Sequence, residues 1–523
     1  MNKLFSFPGG IRLAYQKELS SEKAIESLPL PKKLILPLRQ NAGVSPLPVV
    51  KVGEQVKKGQ CLAAAEDWIS ASLHAPTSGT VLAIGAYPVA HPSGLAAPAI
   101  VIEADGEDSW GERLPLLQDM EVKHLAPASV QLYLQKMGIV GMGGAVFPSH
   151  VKLAKAPGIP LETLIINGAE CEPFITCDDR LMRERAEAII SGVIFLADLL
   201  TAEEAIIAIE SNKPEAAAAM EAALATRTED TAKRIRVAVI PAVYPAGSLK
   251  QLVYTLTGKR ALVGVLPPQL GVQCFNVATV HAIWRAVAFG EPLISRIVTV
   301  TGNVGRPGNL EVPLGASIAD ILQYADVRPE TDACLVGGPM MGFVLPHPDA
   351  PISKGANCLI ARSPGFFPVK EPESPCIRCT NCANVCPQGL LPYEMYWWSR
   401  AKEFAKTERY HIHECIECGC CAYVCPASIP LVQYFRSAKD ALHTAARKKE
   451  MAEQARERFL FRQFRLEREK SERAQKLAEA AKQQSAKTAA EYGRQQAGEA
   501  AKQAILAAAI ARAKIKPDTG NSA

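Results

Sequence analysis

"CIRCTNCANVCP" (Cys376–Pro387) and "HECIECGCCAYVCP" (His413–Pro426) carry the same spacing, C-x2-C-x2-C-x3-C-P. Three thiolates so spaced wrap three corners of one iron–sulfur cube, and the fourth cysteine of the run ligates the other cube. The expected ligand sets are therefore Cys376, Cys379, Cys382 and Cys425 for one [4Fe-4S] cluster, and Cys415, Cys418, Cys421 and Cys386 for the second. Pro387 and Pro426 turn the chain away after each crossing ligand. Cys420 falls outside the pattern and reads as a small buried hydrophobe beside the cluster. Zinc sites pair C-x2-C with a distant partner pair and do not suit triplets. Disulfides need an oxidising compartment. The start, "MNKLFSFPGG", has one lysine and a Pro-Gly-Gly break in place of an apolar core, which argues against export.

The bulk numbers are those of a globular chain. With 523 residues, 48% hydrophobic and 21% charged, there is room for several domains with their own cores. Nine of the 15 cysteines sit in the two runs, and the other six are scattered as in a reduced protein. A spanning helix needs about 20 apolar residues. The best run, "AIISGVIFLADLL" at 188–200, is shorter and holds Asp198, so no span is expected. From Arg447 to Lys516 there are 18 Lys/Arg against 9 Asp/Glu, while the remainder is mildly acidic. The basic character belongs to the tail, and nothing in the body suggests a nucleic-acid partner.

Along the chain the period changes. Residues 30–105 read as short strands with glycines at tight corners, in the barrel-sandwich pattern of biotinyl and lipoyl carriers. The hairpin "CLAAAEDWISASLHAPTSG" has no lysine to carry a prosthetic group, so the pattern is structural. From 120 to 290, "ETLIIN", "EEAIIAIE" and "RIRVAVIPA" alternate with helical runs near 178–200, 214–227 and 247–257, which predicts a parallel sheet. Residues 296–325 read as strand, turn, strand, helix, a small β-grasp unit. "RSPGFFPVKEPESPC" is a Pro-rich linker, and "YEMYWWSRAKEFAK" predicts a helix between the cysteine runs. Beyond about 436, helix formers dominate with too little apolar stripe for a core, so a solvated helix or a disordered tail is expected.

One loop carries chemistry. In "GMGGAVFPSHVKL" (141–153), Gly141, Gly143 and Gly144 let backbone amides approach a flat ring or a phosphate. Lys152 offers a point charge for phosphate. In "NGAECEP" (167–173), Glu170 and Glu172 follow a strand end and can face sugar hydroxyls; Asn276 can donate to a phosphate or ring oxygen. The chemistry alone points to a nucleotide or flavin pocket.

These two segments resemble the flavin- and NADH-binding loops of the NADH-oxidising subunit of respiratory complex I. Gly141, Gly143, Gly144, Lys152, Asn167, Glu170, Glu172 and Asn276 fall on matching positions. The order of "INGAECEP", "DDRLM", "NVATV", "PGN", "GGPMMG" and the paired cysteine runs resembles the RnfC family, the C subunits of the Rnf (Rsx) ion-translocating electron-transport complex, from about residue 8 to 435. The resemblance implies a multidomain α/β chain. Its expected parts are a barrel-sandwich domain (1–110), a Rossmann-like FMN/NADH domain (120–290), a ligand-binding β-grasp domain (291–362), a helical two-cluster ferredoxin-type domain (363–445) and a basic tail (446–523). It also implies FMN, two [4Fe-4S] clusters and NAD(H) as substrate. The implied partners are integral-membrane and flavin-carrying subunits and a ferredoxin-type carrier, at the cytoplasmic face of the bacterial inner membrane. Hydride transfer itself requires no acid–base residue, so no catalytic side chain is expected. Met142, Ala278, Ser248 and Leu249 depart from the complex I pattern, where an arginine and three glutamates stand. Two rival readings are a stand-alone flavin reductase of the cobalamin reductase type and an electron-transfer scaffold without flavin.

Overall fold

Alternation along four buried strands organises the middle of the chain. Leu164 and Ile166 of the strand Thr163–Gly168, with Ala205, Ile207 and Ile209 of Glu204–Glu210, pack on one face of a sheet; Ile165, Ile206 and Ala208 pack on the other. Side chains that alternate across a strand and find cover on both sides are the mark of a parallel sheet between helices. All the pairings are parallel, in the order Ile235–Ile240, Glu204–Glu210, Thr163–Gly168, Val272–Asn276. The chain winds outward from the strand Thr163–Gly168 and then returns to its other side. The switch point thus lies between Thr163–Gly168 and Val272–Asn276, where ligands of such sheets collect beyond the strand ends.

The computed structural model describes residues 4–117, 122–154, 156–261, 264–367 and 371–514. Residues 368–370 of the Pro-rich linker and the end of the tail from 515, Lys516 included, lie outside the described residues. The helical run expected near 178–200 is two helices, Cys177–Glu184 and Ala186–Leu199, parted at Arg185, whose φ of −128° leaves the helical region.

The N-terminal part forms two small antiparallel sheets. In the larger, Lys33–Pro37, Ala96–Ala104, Gly79–Pro88 and Gln55–Val56 are neighbours in that order; Leu47–Pro48, Cys61–Ala64 and Leu73–His74 form the smaller. The β-grasp unit is a six-stranded mixed sheet with the helix Ile318–Tyr324, and its edge is extended by Glu26–Ser27 in parallel with Leu310–Glu311. Sequence alternation separates these two units, yet they share one core. Leu34, Leu36, Leu62 and Ile100 of the first pack in the same cluster as Val298, Val300, Ile318 and Leu359 of the second.

The extended N-terminal segment stitches the body together. Phe5 N–H donates to the Thr255 carbonyl (2.9 Å) and Gly10 N–H to the Val385 carbonyl (3.0 Å), while Ile11 and Tyr244 exchange backbone bonds of 2.8 and 2.9 Å. Gly9 has φ +64°, and a Cβ there would stand 2.6 Å from the Val385 backbone, so only glycine lets the two segments meet.

A first compact unit spans residues 1–439 and a second 440–523. The last helix runs Leu431–Ala513; Leu431, Phe435 and Ala438 are buried, and every residue from 443 to 514 is exposed. Helix propensity and pairs such as Arg465–Glu469 and Arg468–Glu472 support the exposed stretch, at about 0.2–0.5 kcal/mol per pair. Deletion of residues 447–523 should therefore leave the thermal unfolding of the body unchanged within about 1 °C. A broad loss of body stability in the truncated chain would show that the exposed helix is part of the core fold.

Candidate functional site

The ends of the two central strands meet at Asn167 and Asn276, which are paired across the sheet. Asn276 caps the helix Val277–Phe289: its Oδ1 accepts from the amides of Ala278 (3.0 Å) and Thr279 (3.3 Å), and its Nδ2 donates to Asp178 at 2.6 Å. Asn167 donates to the Gly247 carbonyl at 2.8 Å and accepts from the Ala169 amide. Above them runs the glycine loop. Gly141 N–H closes it onto the Phe147 carbonyl (2.8 Å), and Met142 N–H donates to the Thr279 hydroxyl (2.9 Å). A Cβ on Gly143 would stand 3.4 Å from Asn276, and Gly144, at φ +104°, faces open space. The loop is therefore a bare backbone cradle over the switch point, which fits a flat ring or a phosphate.

The loop after the strand Thr163–Gly168 is pinned from within. Lys17 carries its ammonium into the interior and donates to the carbonyls of Glu170 (2.8 Å), Glu172 (3.0 Å) and Ile175 (2.5 Å). Lys213 holds the Ala169 carbonyl (2.7 Å) and pairs with Glu210 (3.0 Å), both side chains fully buried. The loop's sharp course shows in positive φ at Glu170 (51°) and Phe174 (69°). Glu170 accepts from the amides of Asp178 (2.6 Å) and Asp179 (3.4 Å), at the start of the helix Cys177–Glu184. Burial pushes its carboxyl up to about 8 against the pull of Lys17, 3.8 Å away, while burial and then Lys213 push Lys17 down. Glu172 reaches the opposite way, to the amides of Met340 (3.2 Å) and Met341 (2.9 Å) in "GGPMMG"; burial raises it to about 7 against those bonds.

The eight motif residues do not all converge. Gly143, Gly144, Asn167, Glu170 and Asn276 gather at the switch point, and Gly141 closes the loop above it. Lys152 instead donates to the Cys274 carbonyl (3.1 Å) on the outer edge of the last strand and lies 5.5 Å from the Phe275 ring centre. Glu172 serves the loop that reaches across from the β-grasp unit. Asp178 and Lys17 are site residues that the sequence does not flag. Asp178 sits inside the quoted "DDRLM" but follows no spacing rule, and Lys17 lies in a segment without a motif.

The cysteines form two cages. One small cavity is lined by Cys376, Cys379, Cys382 and Cys425; the other by Cys386, Cys415, Cys418 and Cys421, with Cys420 beside them. The backbone repeats between the two runs: Arg378 and Thr380 in one, Glu417 and Gly419 in the other, all have positive φ. Three of these four are not glycine, and such conformations persist where the surroundings over-determine them. The donor set of four thiols per cage fits a cubane.

The cages differ in surroundings. Cys418 and Cys420 pack with Ile11 and Tyr244, and Cys171 and Met340 lie against the same cluster. The Tyr244 hydroxyl donates to the Cys418 carbonyl (2.6 Å) and Gln251 to the Pro387 carbonyl (3.0 Å); Lys250 pairs with Glu414. The second cage thus sits against the loop that holds Glu170 and Glu172. The first lies outward, with Cys379 exposed and Ile377 69% exposed.

Comparison with known proteins follows this layout. Family profiles match an RnfC barrel-sandwich hybrid domain at 5–107, a Nuo51 FMN-binding domain at 134–285, an SLBB domain at 297–344 and a 4Fe-4S dicluster domain at 375–429. A Haemophilus influenzae protein, named as the C subunit of an ion-translocating oxidoreductase complex, is 44% identical over 89% of this chain and 69% of its own. This chain belongs to the RnfC family of ion-translocating oxidoreductase complexes. Its Pseudomonas aeruginosa relative of the same name is 44% identical over 91% of the chain, and the Edwardsiella ictaluri one 45% over 92%. The chain spans about 60% of the length of these last two relatives. A solved NAD+-reducing [NiFe]-hydrogenase chain aligns over 63% of this chain and 64% of its own, at 21% identity and TM-score 0.43, a likeness too loose to carry an argument.

Lys17→Met should leave three carbonyls without their donor and Glu170 without its partner. Breaking a buried pair in this way costs roughly 3–5 kcal/mol, which chemical denaturation would read as a large fall in the unfolding midpoint. An unchanged midpoint would mean that water replaces the ammonium.

Proposed function

We propose that the chain is the peripheral electron-transfer subunit of a membrane complex that couples electron exchange between NAD(H) and ferredoxin-type carriers to ion translocation. The observation that carries this reading is the packing of one four-cysteine cage directly against the loop at the switch point, with a second cage outward of it. FMN, when bound, exchanges a hydride with NAD(H) and trades single electrons with cubanes that hold one each. The protein's part is to position these groups. Gly141, Gly143 and Gly144 would admit the flavin to the backbone, and Asn167, Asn276, Glu170 and Glu172 would orient it. Lys152 would leave its carbonyl for the phosphate. Cys415, Cys418, Cys421 and Cys386 would hold the cluster near the flavin. Cys376, Cys379, Cys382 and Cys425 would hold the outward one. The same geometry supports a path that links flavin, inner cage and outer cage, with the exposed side of Cys379 as the contact with a partner.

Neither Ser248 nor Leu249, at the N-cap and first position of the helix Leu249–Thr257, supplies the carboxylate that stands there in complex I. Among the described residues no helix is long and apolar enough to cross a membrane. The reading places the chain at the cytoplasmic face of the inner membrane, held by partner subunits, as the complex named for its relatives suggests.

The test is anaerobic purification of the full chain. About eight irons, eight labile sulfides and one FMN are expected per chain. Cys379→Ser and Cys418→Ser should each lose a different cluster, and Cys420→Ser neither. Lys152→Ala and Glu170→Gln should weaken FMN retention or its reduction by NADH about tenfold or more, the cost of a charge-assisted bond, with both clusters intact. Stoichiometric zinc without sulfide would sink the cluster assignment. Full clusters with no FMN would favour the flavin-less scaffold.

A further inference from the structure

A second cleft lies apart from the cysteine cages and behind the glycine loop. It has a volume of about 390 Å³ and runs between the helices Cys177–Glu184 and Val277–Phe289, closed by the start of the strand Ser295–Gly302. It sits where the parallel-sheet domain meets the β-grasp unit, the kind of junction that ligand sites favour. The opening follows from the sequence. Ala278 and Ala282, one turn apart, face Ala188 across the gap, so three methyl groups stand where larger side chains would fill it. Leu181, Leu293 and Ile294 supply an apolar wall.

The polar groups of this cleft divide into those that are satisfied and those that are not. Arg285 is held by Glu291 (2.8 Å) and Glu311 (3.1 Å), and Ser295 donates to Glu311 (3.0 Å). Arg296, buried at the inner end, donates to carbonyls alone among the described residues: Lys354, Ile297 (3.4 Å) and Met142 (3.5 Å). Asp178, also at the inner end, is taken by Asn276. Two groups remain. The side chain of Arg185, exposed at the outer end, makes no hydrogen bond or ion pair among the described residues, although its charge helps hold Glu311 low. The ring of His281, one turn from Arg285, likewise has no hydrogen-bond partner among the described residues. Burial, and then Arg285, push its ring down to about 4, so it is neutral and keeps one N–H to donate. An exposed guanidinium at the mouth and a half-buried imidazole N–H therefore border an apolar slot. A guanidinium presents its donors in a planar fork that matches a carboxylate.

We propose that this cleft binds an amphipathic carboxylate, with its head group on Arg185 and His281 and its hydrocarbon body between Leu181 and Ile294. The cleft shares Met142, Asp178 and Ala278 with the flavin cradle at its inner end, but its carboxylate end lies at Arg185 and His281, and its test does not read electron transfer. The full chain, purified anaerobically with its clusters, is titrated calorimetrically with octanoate, and with octanol as the uncharged probe of the same length. One saturable octanoate site is expected, with octanol weaker by about tenfold or more. Arg185→Ala should weaken octanoate to the same degree and leave octanol unchanged. Ala282→Phe should abolish both by filling the slot. Absence of a saturable site, or octanoate affinity indifferent to Arg185→Ala, would overturn the proposal even if Ala282→Phe failed to fold. Competition between octanoate and FMN would also overturn it, because the cleft would then be part of the flavin site.

Discussion

The ammonium of Lys17 and the three carbonyls it holds are the constraint on which the site depends. The loop after the strand Thr163–Gly168 must reverse sharply to aim Glu170 at one helix and Glu172 at another loop. Such a reversal leaves carbonyls facing the interior, and a buried carbonyl without a donor is costly. Lys17 supplies three bonds to this loop and Lys213 another. Because Lys17 comes from the N-terminal segment, the same segment that pins the loop also ties the body together, through Ile11 to Tyr244 and through Gly10 to Val385. The switch point and the inner cysteine cage are thereby parts of one packed layer.

That layer explains the chemistry the site can host. Tyr244 reaches from the loop after the third strand of the sheet to the Cys418 carbonyl, and Met340 lies between Glu172 and Gly419. The loop that carries Glu170 and Glu172 thus borders both the switch point and the inner cage. The outer cage has no such cover. Exposure of one cage and burial of the other give the pair a direction in space, whichever way electrons travel.

The parts legible in the sequence were those set by local spacing. The cysteine runs declare their crossing pattern because ligand geometry is written in intervals of two and three residues. The parallel sheet was legible as apolar runs alternating with helical ones, and the tail as a composition without a core. What escaped depends on residues far apart in the chain. Nothing near Lys17 indicates that its ammonium is buried, and Asp178 meets Asn276 only through the fold. Alternation along Lys33–Pro37 and Ser295–Gly302 shows that each strand has a buried face, but not that the two faces share a core. Lys152, matched by motif, rests on the Cys274 carbonyl, a contact that a loop pattern cannot state.

The central claim is that the inner cage lies between the switch point and the outer cage. It is tested most directly by mixing the full chain with NADH, freezing it rapidly, and following each cluster by low-temperature paramagnetic resonance in the Cys379→Ser and Cys418→Ser chains. The account predicts that the inner cluster of the Cys379→Ser chain is reduced as fast as in the parent. In the Cys418→Ser chain the outer cluster should be reduced far more slowly. An outer cluster that fills at the parent rate without the inner one would contradict this order.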